Sequence, residues 1–304
     1  MDKDKKRKAA SVHQKLLNRA RETNRPFNEL LQYYAMERFL YRVSRSEYVD
    51  QFVLKGALLL RTIGISDIRS TRDIDFMSMD DSGIEKLKDV IADCCNVQVP
   101  EDGLEFESND IEAGEIRENQ VYQGYRFRVR GNLGNAKIYI QIDMGFGDIV
   151  TPDPIWIEFP TVLDEENPKI RAYTLETAIA EKYQAMIDLD LLNSRMKDFY
   201  DIWFLSKNLK FEGNVIQKAI EQTFKRRRTE LPSEKPIVFK KNFYSDESKC
   251  IQWRSFKKKI EQEDLPSDLQ TVIEQAEKFL WLPTEKTIQG ENFKKKWAPD
   301  EGWK

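Results

Sequence analysis

The chain has 304 residues, 40% of them hydrophobic, with six Trp and seventeen Phe, enough apolar mass to fill more than one packed core. A net charge of -3 from 33% charged residues of mixed sign excludes a protein that grips nucleic acid through an overall basic field. Cys94, Cys95 and Cys250 match neither a disulfide framework nor a zinc motif, no apolar run approaches the ~20 residues of a membrane helix, and the lysine-rich start lacks the apolar stretch of a secretion signal, so a soluble cytoplasmic protein with no membrane partner is expected.

Residues 1–48 read as a helical cap. Within it Leu30, Leu31, Tyr34, Ala35, Leu40 and Tyr41 recur at helical spacing behind Pro26, which predicts an amphipathic helix from Phe27 to Val43. His13, the one histidine, falls in a polar N-terminal helix far from the other motifs, which argues against zinc enzymes, Ser-His-Asp triads and other histidine-dependent hydrolases. Over 49–160 strand signals dominate, at Phe52 to Leu54, Asp73 to Met77, Tyr122 to Arg130 and Ala136 to Met144, with a helix over Ser82 to Cys94. Gly131-Asn132-Leu133-Gly134-Asn135 is turn chemistry between two alternating runs and predicts an antiparallel hairpin. Residues 161–230 turn to long helices, at Leu175 to Leu192, Arg195 to Lys207 and Val215 to Arg226. Pro232 and Pro236 mark a linker opening the segment 231–304, which carries a helical stretch over Ser267 to Leu280 and a polar end with Trp297 and Trp303. The fold class is α/β in the α+β sense: a small mixed sheet flanked by N-terminal helices and a larger C-terminal helical region.

Two features of the strand-bearing segment carry chemistry. Phe52-Val53-Leu54 runs into Gly56-Ala57 and a helix through Leu60 ended by Gly64; a helix start built of small residues offers unpaired backbone N–H groups to a phosphate. Soon after comes Ser70-Thr71-Arg72-Asp73-Ile74-Asp75-Phe76, where strand alternation sends Asp73 and Asp75 to one face and Ile74 and Phe76 to the other. Two carboxylates with apolar anchors behind them are poised to hold a divalent metal. Along Lys137 to Asp143 the isoleucines face one way and Tyr139, Gln141 and Asp143 the other. If this strand lies beside that of Asp73, three carboxylates converge and can hold two magnesium ions about 3.5–4 Å apart; otherwise Asp143 simply ends a strand.

The helical segment adds Lys182, inside the apolar stripe of Leu175, Ala178, Ile179, Ala185, Met186 and Leu189. A lysine there either snorkels to water or faces concentrated negative charge, such as a triphosphate. Asp198 and Asp201 stand one turn apart on a face shared with Ile202 and Leu205. Asp198 caps its helix, pairs with Lys182 or Arg195, or orients a nucleotide. Arg126, Arg128 and Arg130 alternate along one strand face, and Lys225-Arg226-Arg227-Arg228 ends a helix. Each run either meets RNA phosphates or is solvated surface.

Taken together these residues resemble the AbiEii-type family of abortive-infection toxins, nucleotidyltransferases of the polymerase-beta superfamily. The resemblance runs through Glu37 to Ser46, Phe52 to Arg61, Arg69 to Asp75, Ile142-Asp143-Met144-Gly145, Ala180-Glu181-Lys182, Lys197-Asp198-Phe199-Tyr200-Asp201 and the end Trp297-Ala298-Pro299-Asp300-Glu301-Gly302-Trp303. It implies a polymerase-beta-like core in which Asp73, Asp75 and Asp143 bind Mg2+ or Mn2+. Gly56 and Ala57 would hold nucleotide phosphate, with Thr71 and Arg72 also touching the nucleotide. Lys182 and Asp198 would contact the nucleotide and support transfer, with Asp201 behind them. The chain has Gly56-Ala57 where the family often has Gly-Ser or Gly-Gly, and Lys197 where it has arginine, which loses a bidentate fork. The reaction implied moves a nucleoside monophosphate from an NTP to an acceptor hydroxyl on tRNA or another RNA, in a toxin opposed by a cognate antitoxin. Two rival readings use the same residues: a metal-dependent nuclease, and a catalytically silent member that binds nucleotide, RNA or antitoxin.

Overall fold

The computed structural model, which describes residues 3–64, 71–118, 122–260 and 265–304, divides into two units: Met1–Gly147 with Pro154–Ala172, and Asp148–Asp153 with Tyr173–Lys304. Arg69 and Ser70, which open the acidic motif, lie outside the described residues.

The first unit contains helices α1 (Lys3–Thr23) and α2 (Phe27–Ser44), strand β1 (Phe52–Lys55), the short helix α3 (Gly56–Arg61), β2 (Asp73–Ser78), α4 (Ile84–Asn96), β3 (Leu104–Phe106), β4 (Glu112–Glu118), β5 (Tyr122–Leu133), β6 (Ala136–Phe146), β7 (Ile155–Glu158) and β8 (Lys169–Ala172). Among the described residues the strands form an eight-stranded sheet in the order β3-β5-β6-β2-β1-β8-β7, with β4 also paired to β5. β2 runs parallel to β6 and β1 parallel to β8, while the other pairings are antiparallel, so the sheet is mixed as the sequence predicts. Ile74 and Phe76 of β2, Phe127 and Val129 of β5, and Ile138, Ile140, Ile142 and Met144 of β6 are buried. Helix α2 packs against β6 and β8. Each such side chain contributes about 1.5–3 kcal/mol relative to exposure, so this alternating face sets the register of the whole sheet.

Three local expectations change. Helix α2 is not one-sided: every residue from Tyr33 to Val43 is buried, because α1, α4, β6 and β8 surround it. Its charged residues are accommodated by pairing, the Arg42 guanidinium donating to both oxygens of buried Asp102 at 2.7 and 3.2 Å and Arg38 Nε to the same carboxylate at 3.3 Å. The hairpin turn is tighter than the five-residue signal, since Gly131, Asn132 and Leu133 pair within β5 and Leu133 stands opposite Ala136. Only Gly134, at φ +61, and Asn135 make the turn, as a two-residue hairpin loop demands. Strands β3, β4, β7 and β8 were not legible: β4 is mostly polar and exposed and the others are three or four residues long, so none offers a sustained apolar alternation.

The second unit comprises α5 (Leu175–Leu189), α6 (Met196–Asn208), β9 (Phe211–Glu212), α7 (Gly213–Arg226), α8 (Lys241–Tyr244), α9 (Glu247–Lys257), α10 (Leu269–Ile288), β10 (Lys296–Ala298) and β11 (Gly302–Trp303). Thr174 caps α5, its hydroxyl accepting from Thr177 N–H. Helix α5 packs on α6 and α7, and α10 packs on the same two. Helix α10 continues eight residues beyond the predicted end at Leu280, through Pro283 to Ile288. The tail is not a loose polar end: β11, β10 and β9 form a three-stranded sheet. Trp297 Nε1 donates to the Ser206 carbonyl at 2.7 Å, and Trp303 stacks on Phe279 with ring centroids 5.6 Å apart. No helix among the described residues is long and apolar enough to cross a membrane.

Candidate active site

The acidic site grows from the turn between β1 and α3. Lys55 ends β1 extended, and Gly56 follows at φ +70, a left-handed value that suits glycine. This residue has a second reason to be glycine: a Cβ built on it would lie 1.9 Å from Asp75 Oδ2 and 2.6 Å from Asp75 Cγ. Backbone and carboxylate are thus in direct apposition. Ala57 continues into α3, which is six residues long.

Strand pairing brings the third acid alongside. Asp75 stands opposite Lys55 on β1 and opposite Asp143 on β6, and Asp143 stands opposite Arg126 on β5. Directly opposed residues share a face, so one row across four strands reads Lys55, Asp75, Asp143, Arg126. Asp73, two residues along β2, shares that face. Each of Asp73, Asp75 and Asp143 is half-buried, and each offers a carboxylate oxygen lying within 4.8 Å of the others. The alternation expected from sequence, together with the pairing of β2 with β6 that the sequence left open, therefore brings all three acids together.

Neighbouring groups orient them. The Thr71 hydroxyl donates to Asp73 Oδ1, and Thr71 N–H donates to the Tyr33 hydroxyl at 3.1 Å. Arg72 is exposed, and its carbonyl accepts from Gln32 Nε2 at 3.4 Å. Arg126 forks onto Asp143, Nε to Oδ1 at 2.8 Å and Nη2 to Oδ2 at 2.7 Å, while Gln141 Nε2 donates to Oδ2 at 3.3 Å. This fork is a site contact that the sequence reading missed. Cross-strand alternation was the available signal, but it needs the β5–β6 register to be known. The other two arginines of the run also meet acids, Arg128 at 3.9 Å from Glu112 and Arg130 at 3.3 Å from Glu107.

Among the described residues the converging donors are three carboxylates, the ligand chemistry of a hard divalent cation. The residues fit such an ion: the donors are all oxygen and they converge, with Asp143 also held by Arg126. Divalent ions held this way stabilise developing charge on phosphoryl oxygens.

The second unit answers the question posed by Lys182. Its ammonium stands 3.0 Å from Asp198 Oδ1 and 2.7 Å from Asp201 Oδ2, and Arg195 Nε stands 2.7 Å from Asp198 Oδ2. The lysine thus faces concentrated negative charge, supplied by two carboxylates one turn apart on α6. Burial of Asp198 disfavours its ionised form, but Lys182 and then Arg195 outweigh that and hold the carboxyl below the ordinary aspartate range. In the basic run that ends α7, Arg227 pairs with Glu181 at 2.9 Å and donates to Gln184 Oε1 at 2.9 Å.

The solved structure of MenT4, a nucleotidyltransferase toxin from Mycobacterium tuberculosis, is similar in fold with a TM-score of 0.54 at 14% identity, over 92% of this chain and 89% of that one. The Helicobacter pylori protein JHP933 aligns with a TM-score of 0.42 at 15% identity, over 86% of this chain and 90% of that one. No curated protein matches by sequence. The family described as the nucleotidyl transferase AbiEii toxin of type IV toxin-antitoxin systems matches residues 38–275. Because that span takes in the Gly56 turn, all three sheet carboxylates and the Lys182 cluster alike, the chain belongs to the AbiEii family of nucleotidyltransferase toxins.

Proposed function

We propose that this nucleotidyltransferase moves a nucleoside monophosphate from an NTP to a hydroxyl of RNA, with tRNA the favoured acceptor, and that it does so with magnesium at Asp73, Asp75 and Asp143. The observation that carries the reading is the convergence of three carboxylate oxygens within 4.8 Å of one another on one sheet face. When bound, the divalent ion supplies positive charge to the reacting phosphate. The chain's own residues do the rest. Asp73 is oriented by the Thr71 hydroxyl and Asp75 by the backbone at Gly56. Backbone N–H groups of Gly56 and Ala57 face the nucleotide phosphates, and exposed Arg72 adds a cation there. By the family resemblance Lys182 and Asp198 also support transfer, and Asp201 holds the Lys182 ammonium in place. In the cell the transfer acts as a cytoplasmic toxin that a cognate antitoxin opposes, and serves phage defence by abortive infection.

The test is transfer of label from each alpha-phosphate-labelled NTP, with magnesium, into total cellular RNA and protein, comparing wild type with Asp75→Asn. Label in a discrete RNA band that the variant fails to produce is the expected result. Absence of label from every NTP, with RNA degraded instead, assigns the site to a nuclease.

A further inference from the structure

The geometry points to Arg126 as a built-in counter-ion of the acidic site, one that the metal displaces from Asp143 and that then turns to the phosphates of the incoming nucleotide. The inference rests on the metal reading above and adds a residue to it. Its starting point is the occupancy of Asp143. Arg126 Nη2 and Gln141 Nε2 both donate to Oδ2, and Arg126 Nε donates to Oδ1. A carboxylate oxygen accepts about two hydrogen bonds, so Oδ2 is saturated and only Oδ1 keeps a lone pair for another ligand. Asp143 is therefore committed to the arginine when no other cation is present.

Charge explains why the commitment is reversible. Asp73, Asp75 and Asp143 bring like charges together on a half-buried face, and like charges so placed disfavour one another. A guanidinium on the adjacent strand relieves part of this without closing the site. A divalent ion bound by the same three oxygens relieves more of it, and it repels a guanidinium bonded to one of its own ligands. The two cations therefore compete for Asp143. Arg126 is able to leave, because its side chain is 41% exposed whereas that of Asp143 is 16% exposed. Once released, its planar fork of N–H donors remains one strand away from the acids, and that fork matches phosphate oxygens in the same bidentate manner. The arginine would thus offset part of the negative charge on the resting sheet face and then add to nucleotide binding.

The experiment measures Mn2+ binding to the whole chain, by thermal shift and by the electron paramagnetic resonance signal of free Mn2+, in wild type, Arg126→Gln, Arg126→Lys and Asp75→Asn. Binding of Mn2+-tripolyphosphate is measured on the same set. Loss of the competitor should move half-saturation by Mn2+ in Arg126→Gln to a roughly tenfold lower concentration, with Arg126→Lys between the two. Affinity for Mn2+-tripolyphosphate should fall roughly tenfold in Arg126→Gln. An Mn2+ midpoint in both arginine variants equal to or above that of wild type overturns the competition. Unchanged tripolyphosphate affinity overturns the transfer of the arginine to phosphate. Asp75→Asn separates the two levels: wild-type Mn2+ binding in that variant refutes the metal site itself, whereas loss of binding there with an unmoved midpoint in the arginine variants refutes only the role of Arg126.

Discussion

The backbone of Gly56 lies so close to the Asp75 carboxylate that a single added carbon would stand 1.9 Å from Oδ2. No rotation of the new methyl relieves this, since a Cβ has a fixed place on the backbone. Gly56→Ala must therefore push Asp75 out of its position or shift the turn, and it also places alanine at φ +70, a strain of about 1–2 kcal/mol. Nucleotidyl transfer should fall on the order of 100-fold or more, with a smaller loss of stability. Assaying transfer together with urea unfolding checks this; wild-type activity in Gly56→Ala would show that the apposition does not position Asp75.

Lys182 makes a different prediction, because its partners are more deeply buried than it is. Side chains of Asp198 and Asp201 are 1% and 0% exposed, against 14% for the lysine. Lys182→Met leaves both carboxylates without that cation, which should lower stability by about 3–5 kcal/mol in urea unfolding. Adding Asp198→Asn and Asp201→Asn should recover most of the loss.

The pH dependence of that cluster has a definite sign. In the wild type the Asp198 carboxyl titrates below its ordinary 3.8, so its contribution to stability is present above that value and is lost only as pH falls further. In Lys182→Met the same carboxyl loses the largest charge that opposes its burial, so lowering the pH from 8 to 5 should stabilise the variant more than the wild type, whose own response over that range comes from Glu37. Thermal melts at pH 5 and pH 8 distinguish the two behaviours.

Glu37 carries the opposite dependence in the first unit. It is fully buried in α2, and burial pushes its carboxyl up to about 8 although the Val162 N–H and then Arg61 and Arg38 act to lower it. Folding stability from this group is fully present below the unfolded value of 4.5 and is lost as pH rises through about 8. Glu37→Gln keeps an acceptor for the Val162 N–H, which now meets Oε2 at 2.9 Å. The variant should match wild type near pH 5 and melt at a higher temperature at pH 9, and a parallel pH profile for the two proteins would refute the assignment.

The C-terminal tryptophans should prove structural. Trp297 is 2% exposed and stands edge-on to Phe279, with ring centroids 4.9 Å apart. Trp297→Ala should cost about 3–5 kcal/mol. Trp297→Phe should cost less, through partial refilling of the space, but it still orphans the Ser206 carbonyl. Denaturation followed by circular dichroism measures both.

How much of this was legible in the amino-acid sequence follows the range of the interactions involved. Strand alternation is a property of successive residues, so the sequence by itself determined that Asp73 and Asp75 share a face, that Ile138, Ile140 and Ile142 oppose Asp143, and that the chain turns near Gly134. Composition likewise set the α+β class and the helices that carry Lys182 and Asp198. Pairing between strands is not local. Only the tertiary structure decided that β2 lies parallel to β6 with Asp75 opposite Asp143, and that β5 delivers Arg126 to the same carboxylate. It alone chose, among the partners open to Lys182, the two acids of α6. It alone made α2 a buried helix whose Arg42 needs Asp102, because burial on every side comes from α1, α4 and the sheet, none of which the helix's own periodicity records. Local chemistry chooses which face a side chain takes; the long-range packing of apolar faces decides which other side chain it meets there.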